Sequence, residues 1–177
     1  MATPCMRYAH QYLVAKGAAP ESETAFKNLL HQTWFAMYSR GGREDDSSGF
    51  EHVFVGETKR GEVTGLHNWI QIYSEEKKGK LDYMGYIFPR RRGYADSPED
   101  TEQLLTFQFE WNGQLKAVSS SFVGVSPEFE LALYTMLFLL DQEKTEANIG
   151  PYSVEVTTYI FRQDGEKYIG SAFPGGA

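Results

Sequence analysis

Residues 104–124 read LLTFQFEWNGQLKAVSSSFVG, and this stretch decides the class of fold. Two segments rich in aromatic and β-branched residues flank Asn112-Gly113, a dipeptide that favours a two-residue β-hairpin turn because both residues tolerate positive φ. We therefore expect two antiparallel strands here. On a regular returning strand, Lys116, Val118 and Ser120 would project from one face, because side chains alternate between the two sides.

Further strand and helix patterns lie on both sides of this hairpin. LDYMGYIF before it, and YSVEVTTYIF and KYIGSAF after it, predict strands, with a second tight turn at Asp164-Gly165. Ser126-Pro127-Glu128 predicts a helix start, since a hydroxyl cap, an early proline and an acidic residue suit the positive end of a helix. HVFVGE predicts a short strand, and GLHNWIQIYSEEKK predicts a helix whose first turn contains His67.

The N-terminal part of the chain differs in character. Residues 4–40 carry two helical patterns separated by KGAAPES, and the polar stretch RGGREDDSSG then interrupts the pattern as a loop. Helices first and antiparallel hairpins later predict an α+β fold. We expect residues 1–46 to form a helical N-terminal portion and residues 47–177 to carry the functional cleft.

Composition excludes several classes of protein and site. The chain of 177 residues has one cysteine, so it has no internal disulfide and no cysteine-built zinc site. Its net charge of −7 argues against an extended basic face for nucleic acid. The one concentrated basic run, Arg90-Arg91-Arg92, is more often a solvated loop than a local phosphate site.

No segment has the pattern of a membrane span or of a signal peptide. The longest apolar run, LALYTMLFLL, has ten residues, whereas a span needs roughly 18 to 20; it is better explained as a buried helix. The segment MATPCMRYAHQYLV lacks a basic region, an apolar region and a cleavage site. Cytoplasmic, nuclear and secreted locations stay open, the last as part of a longer precursor.

The chain has four histidines, and two of them, His52 and His67, each lie beside a glycine-marked bend. Two imidazoles can cleave RNA when one takes the proton of the ribose 2′-hydroxyl and the other protonates the leaving 5′-oxygen. A cation such as Lys116 would stabilise the charge on phosphorus. From the residues alone, a structural role for each histidine is the commoner explanation. Metal ligation by the two histidines with Glu51 or Glu57 is conceivable, although the spacing matches no zinc pattern.

Several motifs, in order, resemble the EndoU family of uridylate-preferring endoribonucleases, whose eukaryotic members include the poly(U)-specific endoribonucleases. They are SSGFEHVFVGE, GLHNWIQIYSEEK, DYMGY, LKAVSSSFVGVSPEFELALYT and IGSAFP. The resemblance runs from about residue 4 to residue 174. It implies cleavage of single-stranded RNA at uridylates by transphosphorylation, which leaves 2′,3′-cyclic phosphate and 5′-hydroxyl ends.

The resemblance also assigns roles to particular residues. The family's triad of two histidines and a lysine falls on His52, His67 and Lys116. The coronavirus uridylate-specific endoribonuclease, a distant member, implies that His67 is the general base and His52 the general acid, while Lys116 stabilises the phosphorane-like charge. The family also implicates Glu51 and Glu57, which could instead be solvated or brace the loop.

Uridine preference in the family depends on three further positions, which fall on Ser120, Ser171 and Phe173. A serine hydroxyl at Ser120 can both donate to and accept from a pyrimidine edge. Phe173 departs from the family's tyrosine: it keeps a ring for stacking, worth about 1 to 3 kcal/mol per base, but lacks the phenolic hydroxyl. Phe173 could instead be a core aromatic.

The resemblance implies partners and cofactors as well. Animal members are typically activated by manganese and some respond to calcium, so we expect Mn²⁺ as an activator, Ca²⁺ as the alternative, and no organic cofactor. The acidic run Glu44-Asp45-Asp46 could attract such an ion, although no EF-hand-like loop is present. We expect a monomer that binds single-stranded, uridine-containing RNA.

Two other classes of function stay open. Complete animal members usually carry further helices upstream, so the resemblance implies that residues 1–46 begin partway through a helical portion. A weak or inactive EndoU-like module that binds RNA without cutting it is the main alternative. A protein-interaction domain is the other, and it would differ in showing no salt-dependent binding of RNA.

Overall fold

The computed structural model of the chain describes residues 3–40, 45–87, 103–149 and 152–176. Its helices are α1 (Pro4–Ala15), α2 (Glu23–Phe35), α3 (Trp69–Lys77) and α4 (Pro127–Leu139), with one π-helical turn at Glu51–Val55. Its strands are β1 (Met37–Tyr38), β2 (Ser47–Ser48), β3 (Glu57–Lys59), β4 (Glu62–Thr64), β5 (Leu81–Tyr86), β6 (Leu104–Trp111), β7 (Gln114–Phe122), β8 (Lys144–Ile149), β9 (Tyr152–Gln163) and β10 (Glu166–Gly176). This mixture of helices and antiparallel strands confirms the predicted α+β fold. Arg90-Arg91-Arg92 and Glu44 lie outside the described residues.

Two antiparallel sheets of three strands each, β5–β6–β7 and β8–β9–β10, form most of the strand structure. The pairs β1–β2 and β3–β4 are separate and short. Both predicted hairpin turns are confirmed, with φ of 51° and 77° at Asn112 and Gly113, and of 52° and 84° at Asp164 and Gly165. Strand β8, whose segment KTEANI is mostly polar, was not predicted.

Side-chain caps determine where the helices begin. Ser126 precedes α4 and its hydroxyl accepts a hydrogen bond from the Phe129 amide at 3.3 Å, as predicted. Asn68 caps α3 in the same way, since its Oδ1 accepts from the Gln71 amide at 3.1 Å. The prediction that His67 lies in the first turn of this helix is therefore wrong. His67 lies in the extended segment just before the cap.

The predicted strand HVFVGE is also wrong for most of its length. Residues Glu51–Val55 form a π-helical turn in which the Gly56 amide donates to the Glu51 carbonyl at 2.8 Å. The next two carbonyls are used elsewhere, because His52 accepts from Leu66 at 2.9 Å and Val53 accepts from His67 at 2.8 Å. Alternating apolar side chains could not reveal these long-range backbone bonds, and π-turns are frequent at functional sites.

Strand β7 contains a β-bulge that interrupts its alternation. Ser119 pairs with Phe107 and Lys116 pairs with Phe109, so Ala117 and Val118 together oppose the single residue 108. The bulge interrupts strict alternation between Lys116 and Ser120, but the three residues predicted to share a face, Lys116, Val118 and Ser120, all line the cleft described below.

Two clusters of buried apolar side chains stabilise the fold. The first joins α2, the π-helical turn, α4 and the C-terminal sheet, and includes Trp34, Phe54, Tyr134 and Ile169. The second packs β4 and Leu66 against β5 and β6. Trp34 contacts Phe54 edge-on at 5.4 Å between ring centroids, so residues on both sides of position 46 share the first core. The division of the chain at that position stays a prediction. None of the described helices has the length and apolar character needed to cross a membrane.

Candidate active site

A cleft of about 330 Å³ lies between β7 and β10, with β4 and the two histidine-bearing segments on its other sides. It brings together all six residues predicted as the triad and as base-binding residues: His52, His67, Lys116, Ser120, Ser171 and Phe173. The predicted supporting carboxylates, Glu51 and Glu57, do not line it. A larger groove of about 510 Å³ lies between α1 and α4, but its lining has no histidine or carboxylate.

The two histidine-bearing segments are joined directly through the backbone. The amides of Leu66 and His67 donate to the carbonyls of His52 and Val53. Gly65 makes this approach possible: its φ is +66°, and a Cβ at this position would lie 1.8 Å from the His52 carbonyl oxygen. Only glycine fits so close to a backbone atom in this conformation. The relative position of the two imidazoles therefore depends on Gly65.

Hydrogen bonds determine which nitrogen of His67 carries the proton. The buried Nδ1 lies 3.0 Å from the backbone carbonyl oxygen of Ser120, and a carbonyl can only accept, so Nδ1 is the protonated nitrogen. This assignment leaves Nε2 with a free lone pair. Ser121 donates to the His67 carbonyl at 2.6 Å, which holds the residue from its backbone side.

Burial and charge keep His67 neutral. Burial, together with the positive charge of Lys116, lowers the pKa of His67 to about 3. The imidazole is therefore neutral near pH 7, with its single proton on Nδ1. This is the protonation state that a general base needs before it reacts.

His52 has a different partner and a different electrostatic environment. Burial lowers its pKa, but the hydrogen bond from Nδ1 to the carboxylate of Glu57, at 3.1 Å, acts in the opposite direction. A carboxylate behind Nδ1 stabilises the imidazolium form and orients the ring. His52 is thus better suited than His67 to hold a second proton.

Glu57 is a buried carboxylate with several donors around it. Burial alone would raise its pKa, but hydrogen bonds from His52, Ser47 and Lys59 together lower it to about 2. The Ser47 hydroxyl donates at 2.6 Å and the Lys59 ammonium lies 3.1 Å away. Glu57 is therefore ionised throughout the neutral range. Its structural role is to support His52, rather than to contact a substrate in the cleft.

Arg40 joins Glu57 to the C-terminal hairpin of β9 and β10. Its guanidinium lies 3.8 Å from the Glu57 carboxylate. The same group donates to the Tyr38 hydroxyl and to the backbone carbonyl of Gly170, the residue before Ser171. The support of His52 and the position of the C-terminal hairpin are thus connected through one side chain.

Lys116 and Glu51 are less enclosed. Lys116 is half-buried in the cleft, and this burial lowers the pKa of its ammonium group. The pKa of Glu51 is raised, first by partial burial and then by the negative charge of Glu57. Glu51 begins the π-helical turn, and its carbonyl accepts from Gly56. The Glu51 side chain is close enough to Glu57 and Lys59 to be affected by their charges, and it does not line the cleft.

The residues predicted to contact the base surround His67. Ser120 and Ser171 are buried, and Phe173 is half-buried. The Phe173 ring stacks on the imidazole of His67, with centroids 4.8 Å apart and planes 24° apart. Phe173 is therefore a wall of the cleft and not a distant core aromatic. One face of the Phe173 ring already packs against His67, the candidate general base.

Three serines that support the site were not predicted. Ser47 donates to Glu57, Ser121 donates to the His67 backbone, and Ser119 donates to the Leu66 carbonyl at 3.1 Å. The run of three serines at positions 119–121, on a strand that is otherwise apolar at its end, is a signal that could have indicated buried hydrogen bonds. Ser47 lies in the polar loop stretch, which offered no such signal.

The described residues do not group the side chains that a metal ion would need. No three His, Cys, Asp or Glu side chains within the described ranges come close enough to share an ion. Glu57 is engaged by His52, Ser47 and Lys59, and the cation Lys116 lines the same cleft. The residues here do not fit a metal ion held by both histidines and a carboxylate, so that alternative is wrong for this part of the chain. Activation by manganese stays a prediction.

Comparisons with known proteins identify the family of the chain. The family model described as Endoribonuclease XendoU matches residues 1–174. Uridylate-specific endoribonuclease B of Danio rerio is 45% identical over 97% of this chain and 60% of its own length. Poly(U)-specific endoribonuclease-A of Xenopus laevis is 46% identical over 97% of this chain and 58% of its own. The chain thus spans about 60% of the length of these curated relatives.

The fold has a close counterpart among solved structures. The structure of XendoU, described as a splicing-independent snoRNA-processing endoribonuclease, superposes with a TM-score of 0.86 and 44% sequence identity. The match covers 99% of this chain and 64% of that one. The family model, the relatives and the fold agree over nearly the whole length. The chain belongs to the XendoU family of endoribonucleases.

Proposed function

We propose that this chain is an endoribonuclease that cleaves single-stranded RNA at uridylates by transphosphorylation, leaving 2′,3′-cyclic phosphate and 5′-hydroxyl ends. The observation that carries the proposal is one cleft containing two histidines with different hydrogen-bond partners, a carbonyl for His67 and a carboxylate for His52. The names of the relatives, which are uridylate- and poly(U)-specific endoribonucleases, support the same reaction.

His67 takes the proton of the ribose 2′-hydroxyl through Nε2. Its Nδ1 proton is held by the Ser120 carbonyl, and its lowered pKa keeps the ring neutral before the reaction. As the 2′-oxygen attacks phosphorus, the P–O5′ bond breaks. The burial that lowers the pKa of His67 also makes the resulting His67 imidazolium a stronger proton donor.

His52 supplies the proton to the leaving 5′-oxygen. The Glu57 carboxylate accepts a hydrogen bond from Nδ1 and so stabilises the protonated ring. Nε2, on the opposite side of the ring, stays free to donate the proton. Lys116 stabilises the negative charge that develops on the non-bridging oxygens of phosphorus. No step requires a redox change, and the two proton transfers balance.

Ser120, Ser171 and Phe173 select the uridine base from the other side of His67. Their positions on the cleft wall support this role, since a hydroxyl can pair with a pyrimidine edge and a ring can contact its face. Mn²⁺, or alternatively Ca²⁺, would act outside the described cleft residues by organising RNA or loops. We propose that the active species is a monomer.

The first test is cleavage of an oligonucleotide with a single U among A residues, with manganese, with calcium and with a chelator. Mass spectrometry of the products identifies their ends. A 2′,3′-cyclic phosphate on the U is the expected product, and the ion series shows which ion, if any, is needed. Measurable RNA binding without cleavage under any of these conditions would contradict the proposal and favour an RNA-binding module.

A further inference from the structure

A carboxyl group that takes no part in this mechanism lies buried behind the cleft. Glu130, in the first turn of α4, has 0% of its surface exposed. Its Oε2 accepts a hydrogen bond from the Asn68 side-chain amide at 2.8 Å. The hydroxyl of Tyr134 lies nearby, but neither that hydroxyl nor Oε1 of Glu130 forms a full hydrogen bond among the described residues.

This burial is unfavourable for stability. An incompletely paired buried carboxyl loses hydration that its protein partners do not restore. Burial raises the pKa of Glu130 to about 7, and the hydrogen bond from Asn68 and the nearby Tyr134 hydroxyl oppose that shift only in part. No charged side chain of the described residues contributes to this shift. A buried polar group of this kind calls for an explanation other than packing.

The partner of Glu130 is the residue that follows His67. Asn68 uses its two side-chain atoms for two different elements: Oδ1 caps α3 by accepting from Gln71, and Nδ2 donates to Glu130 on α4. The amide orientation is determined by these two partners, since Oδ1 must accept and Nδ2 must donate. Asn68 therefore connects the start of α3 to the start of α4.

His67 is held on its other sides by bonds already described. Its amide donates to Val53, its carbonyl accepts from Ser121, and its Nδ1 donates to Ser120. The bond from Asn68 to Glu130 adds a fixed point on α4, immediately after His67 in the chain. Without it, the Asn68 side chain would retain its bond to the Gln71 amide, which holds it to α3 alone.

We propose that Glu130 is a positioning residue, which acts through Asn68 to fix the imidazole of His67 in the cleft without contacting the substrate. The proposal rests on the proposed function for its kinetic consequence, but the position of the imidazole can be measured separately. It gives a reason for a carboxyl at a buried position, where an apolar side chain would need no hydrogen-bond partner.

Two substitutions remove the connection from opposite ends. Glu130→Leu removes the acceptor and keeps similar bulk, whereas Asn68→Ser keeps a good helix cap and removes the Nδ2 donor. Both should lower kcat for the single-U oligonucleotide at least tenfold with KM changed less than twofold. Glu130→Gln should keep more than one third of the parental kcat at pH 7, because an amide oxygen can still accept from Asn68.

Thr135→Val provides the matched control. Thr135 is also buried on α4, and its hydroxyl accepts from the Trp34 indole at 2.9 Å, in the first core and away from the His67 segment. This variant should lower the melting temperature while leaving kcat unchanged. All rates are measured well below each variant's melting temperature, so that a loss of folded protein is not counted as a loss of kcat.

Nitrogen chemical shifts of the His67 ring provide a readout that does not require activity. In the parent and in Thr135→Val, the ring should show the neutral tautomer protonated at Nδ1, and in Glu130→Leu and Asn68→Ser this signal should move or broaden. An unchanged His67 signal in both variants would overturn the proposal, as would a kcat within twofold of the parent. A parent chain that does not cleave RNA would contradict the proposed function alone, and the ring signals would still decide the role of Glu130.

Discussion

The amide of His67 donates to the carbonyl of Val53 at 2.8 Å, so the candidate base is bonded through the backbone to the residue that follows the candidate acid. Neighbouring Leu66 and His52 form the parallel bond at 2.9 Å. The two imidazoles are therefore positioned by one backbone connection and not by independent elements. Changes in this connection should affect both proton transfers together.

Gly65→Ala should disrupt that connection. A methyl group would overlap the His52 carbonyl oxygen, and the positive φ adds strain of about 1 to 2 kcal/mol. We expect loss of cleavage together with a lower free energy of unfolding, measured by urea titration. Gly61→Ala is the matched control, because Gly61 has φ of +82° with nothing within 4 Å of a Cβ. Equal effects of the two variants would contradict the role assigned to the close approach.

His67→Ala should lower kcat by about 10²- to 10⁴-fold, the range that a general base contributes. The fold should persist, because the backbone bonds of residue 67 do not require its side chain. Circular dichroism checks the fold, and single-turnover cleavage measures the rate. An active His67→Ala protein would rule out the assignment of the base.

Glu57→Gln should lower the pKa of His52, because the neutral amide stabilises the imidazolium less than the carboxylate does. The alkaline limb of the kcat profile should then move to lower pH, since the protonated fraction of His52 on that limb falls as its pKa falls. Glu51→Gln is the control, since Glu51 does not line the cleft, and it should leave that limb in place. The same displacement in both variants would mean that a general charge effect, and not the His52 bond, is responsible.

Ser120→Ala should equalise cleavage at U and C sites if its hydroxyl reads the base. Ser119→Ala, the neighbouring control, should reduce the rate at both sites alike, because its hydroxyl supports the Leu66 carbonyl and the His67 ring. Competition between oligonucleotides with a single U or a single C measures the ratio. A preference unchanged by Ser120→Ala would place recognition at another residue.

Glu130→Gln should change how stability depends on pH. The folded pKa of about 7 lies above the ordinary value of 4.5, so the contribution of this carboxyl to stability is present below pH 4.5 and is lost as the pH rises to 7. Relative to the parent, the variant should therefore gain on the order of 2 kcal/mol in the free energy of unfolding between pH 5 and pH 8. Parallel pH profiles for the two proteins, from denaturant titrations, would show that Glu130 does not titrate in this range.

Local patterns in the sequence predicted those elements that depend on neighbouring residues. The turns at Asn112-Gly113 and Asp164-Gly165 and the cap at Ser126 were all correct, because each depends on the φ or the hydroxyl of residues close in the chain. The π-helical turn at Glu51–Val55 was missed, since it is stabilised by bonds to Leu66 and His67.

The same distinction applies to the candidate site. The residues carried over from the family resemblance, such as His52, Lys116 and Ser171, do line one cleft. The family resemblance implicates Glu57, but the bonds that hold the site in place could not be predicted. Ser47 donates to Glu57, and Asn68 donates to Glu130 on a different helix. Buried polar partners of this kind have no local pattern.

At the bulge, Ala117 and Val118 together stand opposite one residue of β6. The pairing of β7 on either side of the bulge therefore depends on the number of residues in between. Deleting Val118 would let the strand continue as a regular ladder, and it would also change which residue of β6 stands opposite Lys116 or Ser120. The sheet could still form, but Lys116 and Ser120, the proposed phosphate-stabilising and base-reading residues, would no longer keep their present spacing along the strand. Insertions and deletions in this strand should therefore be tolerated less well than substitutions, even where the deleted side chain is itself exposed.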